Sequence, residues 1–529
     1  MANRREFIRQ IGVGTVSLGL VPWLAACGRG DEAAPGPGRA LPRSAPEAQG
    51  ISSAGITTFL DEVARSGIEF HSIMVLRHGH VVAEGWWAPF AAPYRHTLYS
   101  LSKSFTSTAV GMAVADGLLS VDDPVTRFFP DDLPSPIGPN LAAMKVRHLL
   151  TMTTGHAADT MGALRASNGR WPKAFLALDV DFEPGTHFLY NTGATYMLSA
   201  IVQTLTGRTV HDLLGERLFV PLGIEGSDWE ADPAGVNVGG YGLRVTTEDI
   251  AKFGQVYLDR GQWRGQTLVP ASWVDDATRT QTTSQSGDND WSQGYGYQFW
   301  RCKPAPGFYR GDGAFGQFCI VIPQKDVVIA VTSESSDMQR SMNLMWDHLL
   351  PAIHDDATLP ADAPAERALT QALAALALAP AAGEASSPRA AGISGRTFTL
   401  DENPLGARTV RFDVTGDGCT FTVDGTSGLR SVVCGWGRWV TADNRRTGPD
   451  DLFPVQGRTD IATKIAASAA WPEPDTLAMT WQYVENIHHD DITCTFDGNR
   501  VTITFAGSVQ TMQRQPDPRP VLVGRLAEA

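Results

Sequence analysis

Hydrophobic positions recur with two different periods in this chain, and the change falls near Gly395. Before it, helical spacings alternate with short β-rich runs. Ile56 to Ala64 carries the apolar spacing of a helix. Phe70 to Leu76 and Val81 to Trp87 are β-rich and divided by His78-Gly79-His80, which predicts a hairpin. From Ser104 to Ala115 no residue is charged, and Asp116-Gly117 then supplies a polar stop and a C′ glycine. A helix apolar on all sides belongs inside a domain. Pro184-Gly185-Thr186 forces a turn before a second apolar helix, Tyr196 to Leu205. Thr247 reads as the N-cap of a helix running past Phe253. Three late runs, Tyr295 to Cys302, Phe315 to Ile322 and Val327 to Ser333, predict strands, followed by a helix from Met338 to Leu350. Joined to the early hairpin, they make an antiparallel five-stranded sheet covered by the first and last helices, an α+β fold with a helical insertion.

Beyond this unit, Leu359 to Ala391 is rich in Ala and Pro and reads as a linker with one helix, Pro364 to Ala379. Past Gly395 the period becomes two: Val410, Phe412 and Val414, then Leu477, Met479, Trp481 and Tyr483, then Val501, Ile503 and Phe505. Turn signals at Gly416-Asp417-Gly418 and Asp497-Gly498-Asn499 separate the runs, so an all-β C-terminal domain of barrel or sandwich type is expected over residues 395–517.

Length agrees with this division, since 529 residues exceed one core. A net charge of −14 argues against a nucleic-acid surface or a generally basic membrane-binding face, since phosphate affinity needs an excess of Lys and Arg. The N-terminus changes the picture more. Asn3-Arg4-Arg5-Glu6-Phe7-Ile8-Arg9 is a twin-arginine start, and the apolar run from Ile11 to Ala26 is short for a membrane span. Leu24-Ala25-Ala26-Cys27 resembles a bacterial lipobox, which implies cleavage before Cys27 and a lipid on its sulfur. An uncleaved anchor helix is the alternative. Either way the expectation is an exported, periplasmic or cell-envelope protein with a signal over 1–26, a Gly- and Pro-rich tether over 27–45, a first domain over 46–355 and a linker over 356–394. Besides Cys27 there are five cysteines, an odd number that cannot all pair; Cys302 and Cys319 fall in consecutive expected strands and could bridge. The cysteine spacing matches no zinc site, and neither metal nor cofactor is expected.

The candidate chemistry sits at the start of the uncharged helix. Lys103 is a lone charge in its first turn, so it is desolvated or paired, and Ser100 lies three residues earlier on the same face. Burial lowers a lysine pKa and makes it a proton acceptor, and a serine beside it is an activated nucleophile. Such a pair suits acyl transfer.

The segment Tyr99-Ser100-Leu101-Ser102-Lys103-Ser104-Phe105-Thr106-Ser107, with Ala115-Asp116-Gly117-Leu118-Leu119-Ser120-Val121-Asp122-Asp123-Pro124-Val125 after it, resembles the nucleophile region of the serine beta-lactamase and penicillin-binding-protein superfamily, in its class C, esterase-like branch. The resemblance covers about residues 45–355. It implies that superfamily's α+β sandwich and assigns Ser100 as nucleophile. The family's second motif is Tyr-x-Asn; here Tyr190 matches the tyrosine and Thr192 stands in the asparagine position. A cation beside Tyr190 would favour its phenolate. The third motif, Lys-Thr-Gly or His-x-Gly, is replaced by Gly311-Asp312-Gly313 in Tyr309-Arg310-Gly311-Asp312-Gly313-Ala314-Phe315. By resemblance, the backbone N–H groups of Ser100 and Ala314 form an oxyanion hole, and Thr192, Asp312 and Gly313 border the substrate. Asp312 either repels a substrate carboxylate or pairs with Arg310 or a turn amide. Arg147 to Gly155 resembles a cavity-lining segment of the family, and His156 beyond it is read as a surface loop residue. His488-His489-Asp490-Asp491 is read as a turn or exposed strand edge rather than a metal site.

The resemblance implies a serine hydrolase in which Lys103 and Tyr190 share the proton work and titrate as a unit. Its substrate would be a carboxylic ester or small amide, as for class VIII-type carboxylesterases and 6-aminohexanoate-dimer hydrolases. The alternatives are a beta-lactamase or D-amino-acid peptidase, and a catalytically silent lipoprotein that binds cell-wall polymer. The expected partners are that small molecule and a membrane reached through the lipid, with no nucleic acid.

Overall fold

A hairpin with a two-residue loop opens the central sheet. The computed structural model describes residues 40–167, 169–426, 428–444 and 463–527. Strands β1 (Glu69–Arg77) and β2 (His80–Trp86) flank His78 and Gly79, both left-handed at φ 51° and 71°. That is the backbone a tight hairpin needs to match strand twist. Four later strands complete the sheet: β3 (Trp300–Arg301), β4 (Tyr309–Gly313), β5 (Gln317–Ile322) and β6 (Val327–Glu334). The spatial order is β2-β1-β6-β5-β4-β3, antiparallel throughout.

Because side chains alternate across a strand, β1 divides its residues between two cores. Ile73 and Val75 join Phe59, Val63 and Met345 beneath helix α1 (Ser53–Ser66), whereas Met74 and Leu76 face the larger core. That larger core contains α2 (Ser102–Ala115), α3 (Thr192–Thr206) and α4 (Thr247–Leu258). Helix α2 is buried from Ser102 through Ala113, as its uncharged sequence requires, and Phe105 stacks on Phe253 of α4 at 3.8 Å. This is the α+β architecture read from the sequence, with six strands in the sheet rather than the five expected, because Tyr309–Gly313 adds a strand between those expected at Tyr295 to Cys302 and Phe315 to Ile322.

Several boundaries differ. The run from Tyr295 to Cys302 contributes only the two-residue edge strand β3, because Gly294 and Gln298 are left-handed (φ 101° and 66°) and interrupt extension. The strand beside β5 is instead Tyr309–Gly313, so the third-motif segment ends a strand rather than beginning one. Thr246, not Thr247, caps α4: it accepts from Asp249 N while the Asp249 carboxylate returns the bond. The helix from Met338 is α-helical to Leu344 and continues as a π turn over Met345–Leu349.

Residues 356–394 are less free than a linker. Helix α5 (Ala363–Ala374) buries Leu369 in the α1-side core, and Ala88 bridges to Ala377. Among the described residues, ten strands then form the C-terminal domain: β7 (Arg396–Leu400), β8 (Ala407–Val414), β9 (Gly418–Gly425), β10 (Arg430–Trp436), β11 (Val440–Asn444), β12 (Thr463–Glu473), β13 (Thr476–Tyr483), β14 (His489–Asp497), β15 (Arg500–Gly507) and β16 (Leu522–Leu526). Parallel pairing of β10, at one end of the strand order, with β12, the last but one at the other, closes the sheet as a barrel around Phe412, Phe421, Trp471, Trp481 and Phe496. Strand β16 pairs with β7 and β15, which carries the barrel past residue 517. Cys302 and Cys319 are free buried thiols and make no bridge. Among the described residues no helix is long and apolar enough to cross a membrane; the twin-arginine segment and Cys27 lie outside the described residues.

Replacing the fully buried Phe105 by Ala removes a ring from the α2–α4 contact, and by the cost of such cavities it should lower stability by about 3–5 kcal/mol. Urea unfolding of the variant against the parent chain measures it.

Candidate active site

Ser100 lies not in α2 but in a 3-10 turn, Tyr99–Leu101, that leads into it. The first N–H groups of such a turn have no partner within it. Tyr99 is left-handed (φ 46°), which swings the chain so that Ser100 stays half-exposed while Lys103, one turn later, is 1% exposed. The Lys103 Nζ and Ser100 Oγ are 2.9 Å apart. Nζ also donates to the Gly240 carbonyl at 2.8 Å and reaches Thr192 Oγ1 at 3.5 Å. Among the described residues no carboxylate lies within ion-pair distance of it. Burial therefore pulls the Lys103 pKa down to about 7, against smaller opposing effects of Asp159 and Asp312.

Tyr190 arrives from the turn before α3, whose N-cap Asn191 accepts from Gly193 N. Its ring lies 4.8 Å from Lys103 Nζ, and the Ser100 side chain opposes part of the effect that burial has on its hydroxyl. The three candidate catalytic groups thus meet at one point. The electrostatics correct one expectation, however. Burial, with Asp312 and Asp159 adding to it, raises the Tyr190 pKa, so this residue is a phenol and not a phenolate. A neutral amine, unlike an ammonium, gives a phenolate no charge to lean on.

The second wall is β4. A Cβ on Gly313 would lie 2.1 Å from Leu98 O and 3.1 Å from Leu101 N, and one on Gly311 would meet Leu101 and Ser104 side chains at 2.5 and 2.6 Å. Both glycines therefore let the strand press against the Ser100 turn, and Ala314 directly follows the second of them. Asp312 pairs with Arg310 (Nε to Oδ2 2.9 Å), both buried. Of the two readings of Asp312, pairing with Arg310 is the geometry present. That guanidinium also donates to Arg301 O and lies 4.9 Å from the Trp291 ring and 5.9 Å from Trp300. Trp300 in turn stacks on Tyr190 at 5.4 Å.

Two sequence readings fail here. His156 is not a surface residue: it is 3% exposed, its Nδ1 is 2.9 Å from Thr154 Oγ1, its ring packs edge-on to Phe175, and burial lowers its pKa to about 4. His488 and His489 are not an exposed edge either. His488 precedes β14, so strand alternation does not separate the two rings, and both reach Glu334 (2.6 and 3.0 Å). Gly240 and Trp300 also went unread, since a backbone acceptor and a stacking wall carry no motif.

A metal could be held by Glu69, His71 and Glu334, which each place a ligand atom within 4.8 Å of the others. These atoms already serve one another: His71 bridges His96 and Glu69 at 2.9 Å each, and Glu334 accepts from His488, His489 and Ser508.

A sequence model of the family described as Beta-lactamase matches residues 56–354. A 6-aminohexanoate-dimer hydrolase of Paenarthrobacter ureafaciens is 26% identical over 298 residues, covering 50% of this chain and 73% of that protein. Penicillin-binding protein 4 of Amycolatopsis lactamdurans is 27% identical, covering 44% and 70%. A solved structure from Bacillus anthracis, named for 6-aminohexanoate-dimer hydrolase, superposes with a TM-score of 0.50 at 18% identity over 61% of this chain and 89% of that one, which shows the fold alone.

The two glycines of β4 should respond differently to a methyl group. Gly313→Ala collides with backbone and should lose about 1–3 kcal/mol, whereas Gly311→Ala meets movable side chains and should lose less. Thermal unfolding of the two variants compares them.

Proposed function

Because this chain belongs to the Beta-lactamase family, we propose that it is a serine hydrolase acting through an acyl-enzyme on a carboxylic ester or small amide. The observation that carries the reading is the 2.9 Å contact between Ser100 Oγ and a buried amine with no acidic partner among the described residues. Ser100 Oγ attacks the substrate carbonyl carbon and its proton passes to the neutral Lys103 Nζ. The backbone N–H groups of Ser100 and Ala314 hold the oxyanion, an effect of about 10²–10³ in rate for each donor. The proton then reaches the leaving alcohol or amine, with Tyr190 as the phenolic donor of the pair, and the carbonyl re-forms as Ser100 acyl ester. Water, deprotonated by the same pair, attacks that ester and releases the acid.

Substrate choice rests on β4. Recognition of a carboxylate in this superfamily would need a free cation on that strand. Arg310 is buried and committed to Asp312, which supports substrates without an obligatory carboxylate. The relative named 6-aminohexanoate-dimer hydrolase supports the small-amide branch. The N-terminal signal supports export and a lipid on Cys27, which mass spectrometry of the membrane fraction of cells making Cys27→Ala and the parent chain would test.

A fluorophosphonate probe should add to the parent protein and not to Ser100→Ala, read as intact mass. Short-chain 4-nitrophenyl esters should be hydrolysed without nitrocefin turnover; rapid nitrocefin turnover would move the substrate to lactams, and no serine-dependent adduct would leave a binding protein.

The acylation rate should also depend on pH with a definite sign. Lys103 is neutral above about pH 7 and protonated below it, so kcat/KM should fall about tenfold per unit as pH drops below 7. Lys103→Arg, which cannot release its proton, should lose about 10²–10⁴ at every pH.

A further inference from the structure

Loops of a barrel ordinarily run over its surface. The loop Val484–His488, between β13 and β14, is instead buried at every position, covered by the domain that carries Ser100. Arg95 pairs with Glu485 at 3.2 Å, and Thr97 Oγ1 donates to the Glu485 carbonyl at 3.5 Å. At the end of the loop, His488 Nε2 lies 2.7 Å from the Tyr99 hydroxyl and Nδ1 lies 2.6 Å from Glu334 Oε1. A carboxylate only accepts, so Nδ1 carries the hydrogen, and in the neutral ring Nε2 accepts from Tyr99.

The same imidazole packs edge-on to two rings, Tyr99 at 6.0 Å and Phe315 at 5.0 Å, which themselves meet at 5.4 Å. Their places in the chain matter: Tyr99 immediately precedes Ser100 and Phe315 immediately follows Ala314. Both are left-handed, at φ 46° and 66°, a conformation that bulky residues adopt only when their surroundings impose it. Ser333 Oγ and Ser335 N also bond the Phe315 carbonyl at 2.8 and 2.9 Å, which fixes the residue from its other side.

We propose that His488 is a positioning residue for acyl transfer: the barrel domain inserts one imidazole that fixes Tyr99 and Phe315, and through them aims the N–H groups of Ser100 and Ala314 at the developing oxyanion. This rests on the serine-hydrolase reading of Ser100. His488 acts through its two neighbours and not on substrate. If the loop merely joined the domains, its loss would lower stability and leave turnover alone.

The full-length chain carrying His488→Ala, His488→Gln or Tyr99→Phe separates these roles, with kcat and KM measured on a short-chain 4-nitrophenyl ester beside thermal unfolding. His488→Ala and Tyr99→Phe should each lower kcat about 10–100-fold while KM stays within about threefold, the scale of a misaimed donor. Their combination should be no worse than His488→Ala alone, because both break one link. His488→Gln, whose amide reaches the Nε2 position, should recover most of the rate. Tyr99→Phe keeps the ring packing, so it remains informative even where His488→Ala fails to fold. Unchanged kcat in Tyr99→Phe, or in a folded His488→Ala, overturns the proposal. An active parent with unaffected variants sinks this inference alone, whereas a parent with neither esterase activity nor a Ser100 adduct sinks the hydrolase reading with it.

Discussion

An amine kept out of water with no acid among the described residues to neutralise it is the constraint around which this structure is built. Holding the Lys103 pKa near 7, rather than its ordinary 10.5, costs the folded protein on the order of 4 kcal/mol at neutral pH. The sign follows from proton counting: the folded state binds fewer protons than the unfolded chain between about pH 7 and 10, so this penalty shrinks as pH rises through that range. Helix α2 offsets it by burying apolar side chains on every face, and the Gly240 carbonyl gives Nζ a neutral acceptor that does not restore its charge. A carboxylate in the place of that carbonyl would return the pKa towards its ordinary value and leave Ser100 without a base.

The remaining polar groups near the site follow the same logic of where charge is allowed. Asp312 is close enough to affect both Lys103 and Tyr190, yet Arg310 holds it on the far side of β4. The Arg310 guanidinium is in turn boxed by Trp291 and Trp300, and Trp300 backs the Tyr190 ring. A buried ion pair therefore serves as a wall for an uncharged site. Its presence is weak ground for stability, since desolvation of both partners opposes their attraction. Its effect is to fix the tryptophan on which the phenol rests.

Much of the fold was legible because its signals are local. The hairpin at His78-Gly79, the uncharged α2 and the period-two runs of the barrel each depend on a few neighbouring residues, and each forms where the pattern puts it. What escaped depends on distant partners. Gln298 breaks an apparent strand because its side chain is held by the Leu149 and Leu150 carbonyls and by Thr195. His156 is interior because Phe175 covers it, and nothing in its own neighbourhood of sequence says so. Ser100 and Lys103 were candidates from their spacing on an uncharged helix and Tyr190 from motif resemblance, and the folded chain brings the three together, while the protonation of Tyr190 was misjudged because it turns on desolvation, which only the folded chain displays.

Why aromatic residues rather than glycines occupy the two left-handed positions beside Ser100 and Ala314 is a question about control. Glycine would adopt those angles without steric cost, but it offers the rest of the molecule nothing to hold. Tyr99 and Phe315 bear the backbone cost and present rings, and the rings pack against His488 of the barrel domain. Glu334 supplies the anchor, its carboxyl drawn down to about 2 by hydrogen bonds from His488 and His489 that outweigh its burial. It ends β6, an interior strand paired with β1 on one side and β5 on the other, so the imidazole is referenced to the central sheet. A strained backbone gripped in this way is held to one geometry, as the proposed pair of oxyanion donors would require.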